Sequence, residues 1–170
     1  ALSSISVLAM GNGDKVASRA ILYLSDFYRI TLSKGKQDIT IREELNLLES
    51  YLKIQRMRFD DSIEVEYELD ESLLDVHVVK LTLQPIVENA IHHGRDDDSE
   101  VFHILIRLFE EQGKTVFEVI DDGCGMDPEK LMQLQNSMNH SEGGYGLRNV
   151  NIRIKLQYGS QYGVYIESER

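Results

Sequence analysis

The sequence of 170 residues contains one cysteine, Cys124, so no disulfide can form within the chain. That fits a reducing compartment without requiring one. Basic residues are scarce: 18 Lys and Arg stand against 29 Asp and Glu, a formal net charge of -11. So acidic a chain lacks the cationic surface that non-specific nucleic-acid binding uses to neutralise phosphates. A nucleotide ligand remains open, because one bound Mg²⁺ and a few local donors offset the repulsion. No run approaches the roughly 20 apolar residues of a membrane span. The first residues also lack the basic segment and apolar run of a secretory signal. Repeats and low-complexity tracts are missing as well. What is present is an apolar fraction of 42%, enough for a real core, which argues against global disorder. The length fits one domain, or one domain with an extension, and the ends show no caps, as expected of a piece of something longer.

The first third reads as helical. Ile5 and Leu8 share a face of a helix over Ala1–Met10, and Gly11-Asn12-Gly13-Asp14 is a turn. Ala17, Ile21, Leu24, Tyr28 and Leu32 then recur at helical spacing, with Gly35 as a stop. Thr40-Ile41-Arg42-Glu43 has the form of a capping box, and Ile41, Leu45, Leu48 and Leu52 form the stripe of a helix to about Met57. Beyond it the pattern changes. Ile63, Val65, Tyr67 and Leu69 alternate with Glu64, Glu66 and Glu68, which predicts a half-buried strand. A helix over Leu81–His93 follows, with Pro85 in its first turn, where a missing N–H costs little. Alternation predicts strands over Phe102–Leu108 and Thr115–Asp121. Asp127 to Met138 reads as a short helix and loop. Leu147, Val150 and Ile154 mark a last helix, and Val164–Ser168 a final strand fragment. Helices and strands mix without regular βαβ alternation. This predicts an α+β fold, a two-layer sheet-on-helix sandwich preceded by N-terminal helices, with a boundary near residue 40.

Three islands carry the chemistry. In Glu88-Asn89-Ala90-Ile91-His92-His93-Gly94, the pairs Glu88/His92 and Asn89/His93 are four apart, and each pair shares a side of the helix. The opposite face is Leu83, Ile86, Val87 and Ala90. Such an edge could hold a hydrated Mg²⁺ through an oxygen ligand while the imidazoles touch phosphate. It could equally be a solvated polar face. A zinc site is weakly supported, because the two histidines are adjacent.

In Asp121-Asp122-Gly123-Cys124-Gly125-Met126, Asp121 shares a strand face with Phe117 and Val119 and ends it. A carboxylate there needs a donor, which the exocyclic amine of a purine supplies. Gly123 and Gly125 let the backbone approach a flat ring. The alternative is a glycine turn in which Asp121 caps backbone N–H groups. In Gly143-Gly144-Tyr145-Gly146-Leu147-Arg148-Asn149, glycines run into a helix starting near Gly146 or Leu147, whose free N–H groups suit an anion. Arg148 in a first turn is unfavourable unless an anion is bound. A flexible hinge is the other reading.

Between the last two islands, Gln133, Gln135, Asn136, Ser137, Asn139, His140 and Ser141 form a polar segment that reads as a mobile lid or an ordinary surface loop. Asp96-Asp97-Asp98 reads as a solvated loop and Cys124 as a small packing residue.

Taken together, the islands resemble the N, G1 and G2 boxes of the ATP-binding domain of sensor histidine kinases, in the GHKL superfamily of gyrase, chaperone, histidine kinase and MutL ATPases. Leu83-Gln84-Pro85 ahead of Val87-Glu88-Asn89, Tyr51-Leu52-Lys53-Ile54-Gln55 with Arg58-Phe59, and Gly146-Leu147-Arg148-Asn149-Val150 are similar to the LytS-type kinases. The resemblance runs from about Leu24 to Ser168. It implies the GHKL (Bergerat) sandwich over residues 41–170, ended before its final strand, and a partial dimerisation region over 1–40. It also implies ATP and Mg²⁺ as cofactors, with Asn89 as the Mg²⁺ ligand and Asp121 on the adenine amine. Gly123, Gly125 and Met126 would line the base pocket. Gly144, Tyr145, Gly146, Leu147 and Arg148 would lie at the phosphates, with His92 and His93 nearby, His92 where many relatives carry Lys. Glu88 is the implied acid/base or water-orienting group.

Asp122 and Cys124 stand where Asn and Pro are usual. The Asn-Pro-His-Phe segment that carries the family's phosphate-accepting histidine does not occur, and the five histidines lie outside that context. The implied activity is transfer of the γ-phosphate of ATP to a histidine of a longer receptor that homodimerises through N-terminal helices. Its partner is a response regulator, and its placement is the cytoplasmic side of a membrane reached through an upstream region. The alternatives are a GHKL-type ATPase and a nucleotide-free pseudokinase or dimerisation module.

Overall fold

The computed structural model describes residues 38–59, 62–94, 101–138 and 145–168. The helices expected between Ala1 and Gly35 lie outside these residues, as do Asp96-Asp97-Asp98, His140, Gly143 and Gly144. In chain order the elements are β1 (Asp38–Thr40), α1 (Ile41–Arg58), β2 (Ile63–Leu69), a 3-10 turn (Glu71–Leu73), β3 (His77–Val79), α2 (Leu83–Gly94), β4 (Phe102–Glu111), β5 (Lys114–Asp121), α3 (Pro128–Ser137) and α4 (Tyr145–Tyr158).

Helix α1 begins where its capping box requires. Thr40 Oγ1 accepts from the Glu43 N–H at 3.2 Å, and Glu43 Oε2 accepts from the Thr40 N–H at 2.9 Å. Ile41, Leu48 and Leu52 are fully buried and Leu45 is half-buried. In α2 the buried positions are Leu83, Val87, Ala90 and Ile91. Ile86, expected on that face, is only half-buried, and Ile91 takes the inner place.

The main sheet has the order β2-β4-β5. Strands β2 and β4 are parallel, with Ile63 opposite Phe102 and Tyr67 opposite Ile106. Strands β4 and β5 are antiparallel, with Ile104 opposite Asp121. A parallel pair needs a crossover connection, and α2 lies in it. The strand alternation puts Ile63, Phe102, Ile104 and Ile106 against Leu48 and Leu52 of α1 and Leu83, Val87, Ala90 and Ile91 of α2. Burying each of the larger side chains contributes about 1.5–3 kcal/mol. The other sheet face is wet: Glu64, Glu66 and Glu68 are exposed. There Arg107 bridges Glu68 at 2.7 Å and Glu118 at 3.2 Å. One sheet layer and one helix layer make the α+β sandwich expected from the pattern. A small antiparallel pair, β1 with β3, was not legible in the sequence.

Val164–Ser168 is not a strand. Side chains, rather than a backbone ladder, hold this extended segment. Asn151 Oδ1 accepts from the Val164 N–H (3.0 Å), Gln135 Nε2 donates to the Ile166 carbonyl (2.8 Å), and Ser168 Oγ accepts from the Met126 N–H (2.8 Å).

Candidate functional site

The first island is the C-terminal half of α2, the second the turn after β5, and the described part of the third opens α4. Their meeting point is set by two glycines. A methyl group added at Gly123 would lie 2.5 Å from both Cα and O of Gly94, and one at Gly94 would lie 2.7 Å from Asp121 Oδ1. Only bare backbone permits this approach, and a hydrogen bond seals it: Cys124 N–H donates to the Gly94 carbonyl at 3.1 Å. The close partner of Gly123 is therefore the end of α2. Gly125 has φ +67°, a left-handed conformation that favours glycine.

Asp121 Oδ1 accepts from the Gly123 N–H at 3.0 Å. The carboxylate therefore caps the glycine turn, and Oδ2 is left for a second donor. The residue is exposed overall, yet its carboxyl is partly covered. Burial pushes its pKa above the usual carboxylate range, the Gly123 N–H opposes that, and the neighbouring Asp122 charge adds to it. Phe117 and Val119 pack on the core as the period-two pattern requires.

A cleft of about 300 Å³ opens between α2 and α3. Its walls are Asn89 and His93 from α2, Met126 from the turn, and Lys130, Gln133, Leu134 and Ser137 from α3. This is at the lower end of the size of small-ligand sites. The i, i+4 pairing of Asn89 with His93 puts both on the cleft side. Glu88 and His92, the other pair, are exposed and do not line it. The His92 and His93 rings meet edge to face at 4.7 Å. Desolvation, then the His92 and Lys130 charges, hold the His93 pKa below the ordinary histidine value, so at pH 7 it is a neutral donor or acceptor. Lys130 is the one Lys or Arg among the residues lining the cleft.

Sequence reasoning missed Lys130 and Leu134. With Gln133 and Ser137 they recur at i, i+3, i+4 and i+7 on one face of α3, a signal that was present. Half of the segment read as a mobile lid or surface loop is this helix, and Met138 after it is buried at 7% exposure. Asp121 does not share the cleft. It borders a separate depression of about 290 Å³ with Glu66, His103, Ile104, Leu105, Ile120 and Asp122.

Helix α4 starts at Tyr145. Gly146 abuts Pro85 of α2: a methyl group there would sit 3.7 Å from Pro85 Cβ. Leu147 and Val150 are buried, so Leu147 can offer a ligand its backbone and not its side chain. Arg148 is half-buried and is not among the residues lining the α2–α3 cleft. The buried Asn151, unnoticed in the sequence, joins the end of α3 to the C-terminal segment: it donates to the Met138 carbonyl at 3.3 Å and accepts from Val164.

The family model for histidine kinase-, DNA gyrase B- and HSP90-like ATPases matches residues 74–170. The chain belongs to this family. A second family model, described as histidine kinase, matches residues 1–63. The chain is similar to Sensor protein kinase HptS of Staphylococcus aureus, for example of strains USA300 and NCTC 8325. Identity is 35% over 159 residues, covering 92% of this chain and 30% of each relative. The chain therefore spans under a third of the length of these relatives. Among solved structures it resembles the histidine kinase domain of the Erythrobacter litoralis EL346 blue-light activated histidine kinase. The TM-score is 0.51 at 20% identity, covering 89% of this chain and 74% of that one. At that identity the likeness is one of fold. The domain is of the ATP-binding kind, in a chain homologous to sensor histidine kinases. Among the described residues no helix is long and apolar enough to cross a membrane.

Proposed function

We propose that residues 41–170 bind Mg-ATP and present its γ-phosphoryl group for in-line transfer to a histidine of the parent sensor kinase, for relay to a response regulator. One observation carries this reading. Asn89 and His93 face Lys130 across a single cleft, beside the Asp121 turn that the close approach of Gly94 and Gly123 locks in place.

The donor set fits a magnesium ion held mainly by phosphate and water. Mg²⁺ prefers oxygen and usually takes one or two protein ligands, and Asn89 supplies an amide oxygen in the cleft. Among the described residues no cluster of three His, Cys, Asp or Glu could hold a metal alone. When bound, the ion neutralises charge on the transferred group. The chain's own residues do the rest. Lys130 brings positive charge to a strongly acidic protein, His93 offers a neutral ring nitrogen, and Oδ2 of Asp121 accepts from the adenine amine. Gly146 and Leu147 offer backbone donors to phosphate at the start of α4, with Tyr145 and Arg148 beside them and Gly123, Gly125 and Met126 along the base; Gly144 is assigned to the phosphates by its place in the sequence motif alone. Glu88, exposed next to Asn89, is the acid/base or water-orienting group, with His92 beside it. Phosphoryl transfer is mostly positioning and electrostatics, so no protein nucleophile is required.

In this reading residues 1–40 belong to a dimerisation region, the parent homodimerises, and an upstream region places the domain on the cytoplasmic side of a membrane. Calorimetry of Mg-ATP with the wild-type chain and with Asp121→Asn tests it. Binding by wild type, weakened at least tenfold in the variant, is expected. No binding by wild type would remove both enzyme readings. Steady phosphate release without a histidine substrate would favour a free-standing ATPase. Acid-labile label acquired by this chain itself would contradict transfer to a histidine outside it.

A further inference from the structure

Glu44 is the fourth residue of α1, has 1% exposure and carries a carboxylate. Buried carboxylates are rare because leaving water is costly, so this one must be held by strong partners. It accepts three hydrogen bonds, all from one short stretch. Oε1 accepts from the N–H groups of Thr82 (2.6 Å) and Leu83 (2.8 Å), and Oε2 from that of Leu81 (2.8 Å). These donors lie at the start of α2, whose first turn has no acidic residue of its own. Glu44 thus caps α2 from another helix, and its charge suits the positive end of the helix dipole. Burial pushes its pKa up, while the three N–H groups and the Arg153 charge oppose that.

Two more observations single out this junction. Leu81 has φ 59°, a left-handed conformation that a leucine rarely adopts. Such strain persists only where the surroundings enforce it, and the Leu81 N–H is bound to Glu44. On the other side, Arg153 of α4 donates Nη2 to the carbonyl of Lys80. The stretch Lys80–Leu83 is therefore gripped by α1 and α4 at once. Asn89 and His93 follow on the helix that starts here. A slip of one residue at the start of a helix moves every later side chain by about 1.5 Å and turns it by about 100°.

We propose that Glu44 is a positioning residue for the nucleotide site. It fixes the register of α2, and with it Asn89, and through Lys80–Leu83 and Arg153 it ties α2 to α4. The inference rests on the nucleotide reading above.

Glu44→Gln is the test, because it keeps the shape and one acceptor while turning an N–H donor toward Leu81. Three quantities are measured at a temperature where each variant is folded by circular dichroism: the Mg-ATP dissociation constant, the half-saturating Mg²⁺ concentration and the Tm. The expected result is an Mg-ATP affinity about tenfold weaker, or ~1.4 kcal/mol, with a parallel rise in half-saturating Mg²⁺. Adding Leu81→Gly, which accepts positive φ freely, recovers most of that loss. A lower Tm with binding and Mg²⁺ dependence unchanged within about twofold overturns the inference and leaves a structural role. Wild-type protein that does not bind Mg-ATP overturns the nucleotide reading and this inference together. If Glu44→Gln does not fold, Arg153→Gln takes its place in the same measurements, since it removes the Lys80 contact and leaves the cap intact. Weakened Mg-ATP binding then supports the inference, and a lower Tm with unchanged binding overturns it.

Discussion

Replacing Gly123 with alanine perturbs the contact between α2 and the turn after β5 with a single methyl group. That methyl would lie 2.5 Å from Gly94 Cα, 2.5 Å from Gly94 O and 2.6 Å from Asp121 Oδ1. Two of the three obstacles are backbone, so no rotamer change relieves them. Overpacking of this kind costs about 1–3 kcal/mol. Relief requires α2 and the turn to separate. Separation breaks the Cys124-to-Gly94 hydrogen bond, worth about 1 kcal/mol net. The expected loss is therefore about 2–4 kcal/mol, or a Tm lower by about 4–16 °C. Urea unfolding and differential scanning calorimetry read it directly. Gly113→Ala is the matched control. Gly113 has φ +76° with nothing within 4 Å of an added methyl, so it tests backbone strain without crowding, at about 1–2 kcal/mol. Gly123→Ala within about 0.5 kcal/mol of wild type would refute the close approach of α2 to the turn, and with it the closure of the site by these two glycines.

Asn151→Ala should cost about 1–3 kcal/mol in urea unfolding, because it strips the Val164 N–H and the Met138 carbonyl of their partner. An unchanged midpoint would show that the C-terminal segment is not held there. Asp121 has opposite effects on stability and on binding. Its folded pKa is raised, so its contribution to stability is fully present below the unfolded value and is lost as pH rises through the folded one. Nucleotide affinity should run the other way, falling on acidification through that raised value, because protonation removes the negative charge and turns one acceptor oxygen into a donor. Asp121→Asn should flatten both profiles, and an Asn variant with the wild-type profile would reassign the titration. Lys130→Gln should weaken ATP binding about tenfold, ~1.4 kcal/mol, and lessen its salt dependence while leaving adenosine binding unchanged. Equal losses for the two ligands would place Lys130 away from the phosphates.

The linear order of residues determined much of this protein, because local rules act over a few positions. The Thr40/Glu43 capping box started α1, the alternation of Phe102, Ile104 and Ile106 set the buried face of β4, and the glycine-bearing islands marked the family. The failures have a physical pattern. Val164–Ser168 alternates as a strand does, yet in the fold Asn151, Gln135 and Ser168 satisfy its neighbourhood through side chains. Periodicity records which residues prefer burial and not which groups will answer a backbone N–H.

Tertiary structure alone decided the rest. It chose Asn89 and His93, rather than Glu88 and His92, for the cleft, and set Lys130 opposite them. It paired Gly123 with Gly94 across 29 positions of chain, and it brought Glu44 to the start of α2 across 37 to 39 positions. Contacts at such separations depend on how the helix layer packs on the sheet, and no local propensity encodes that packing.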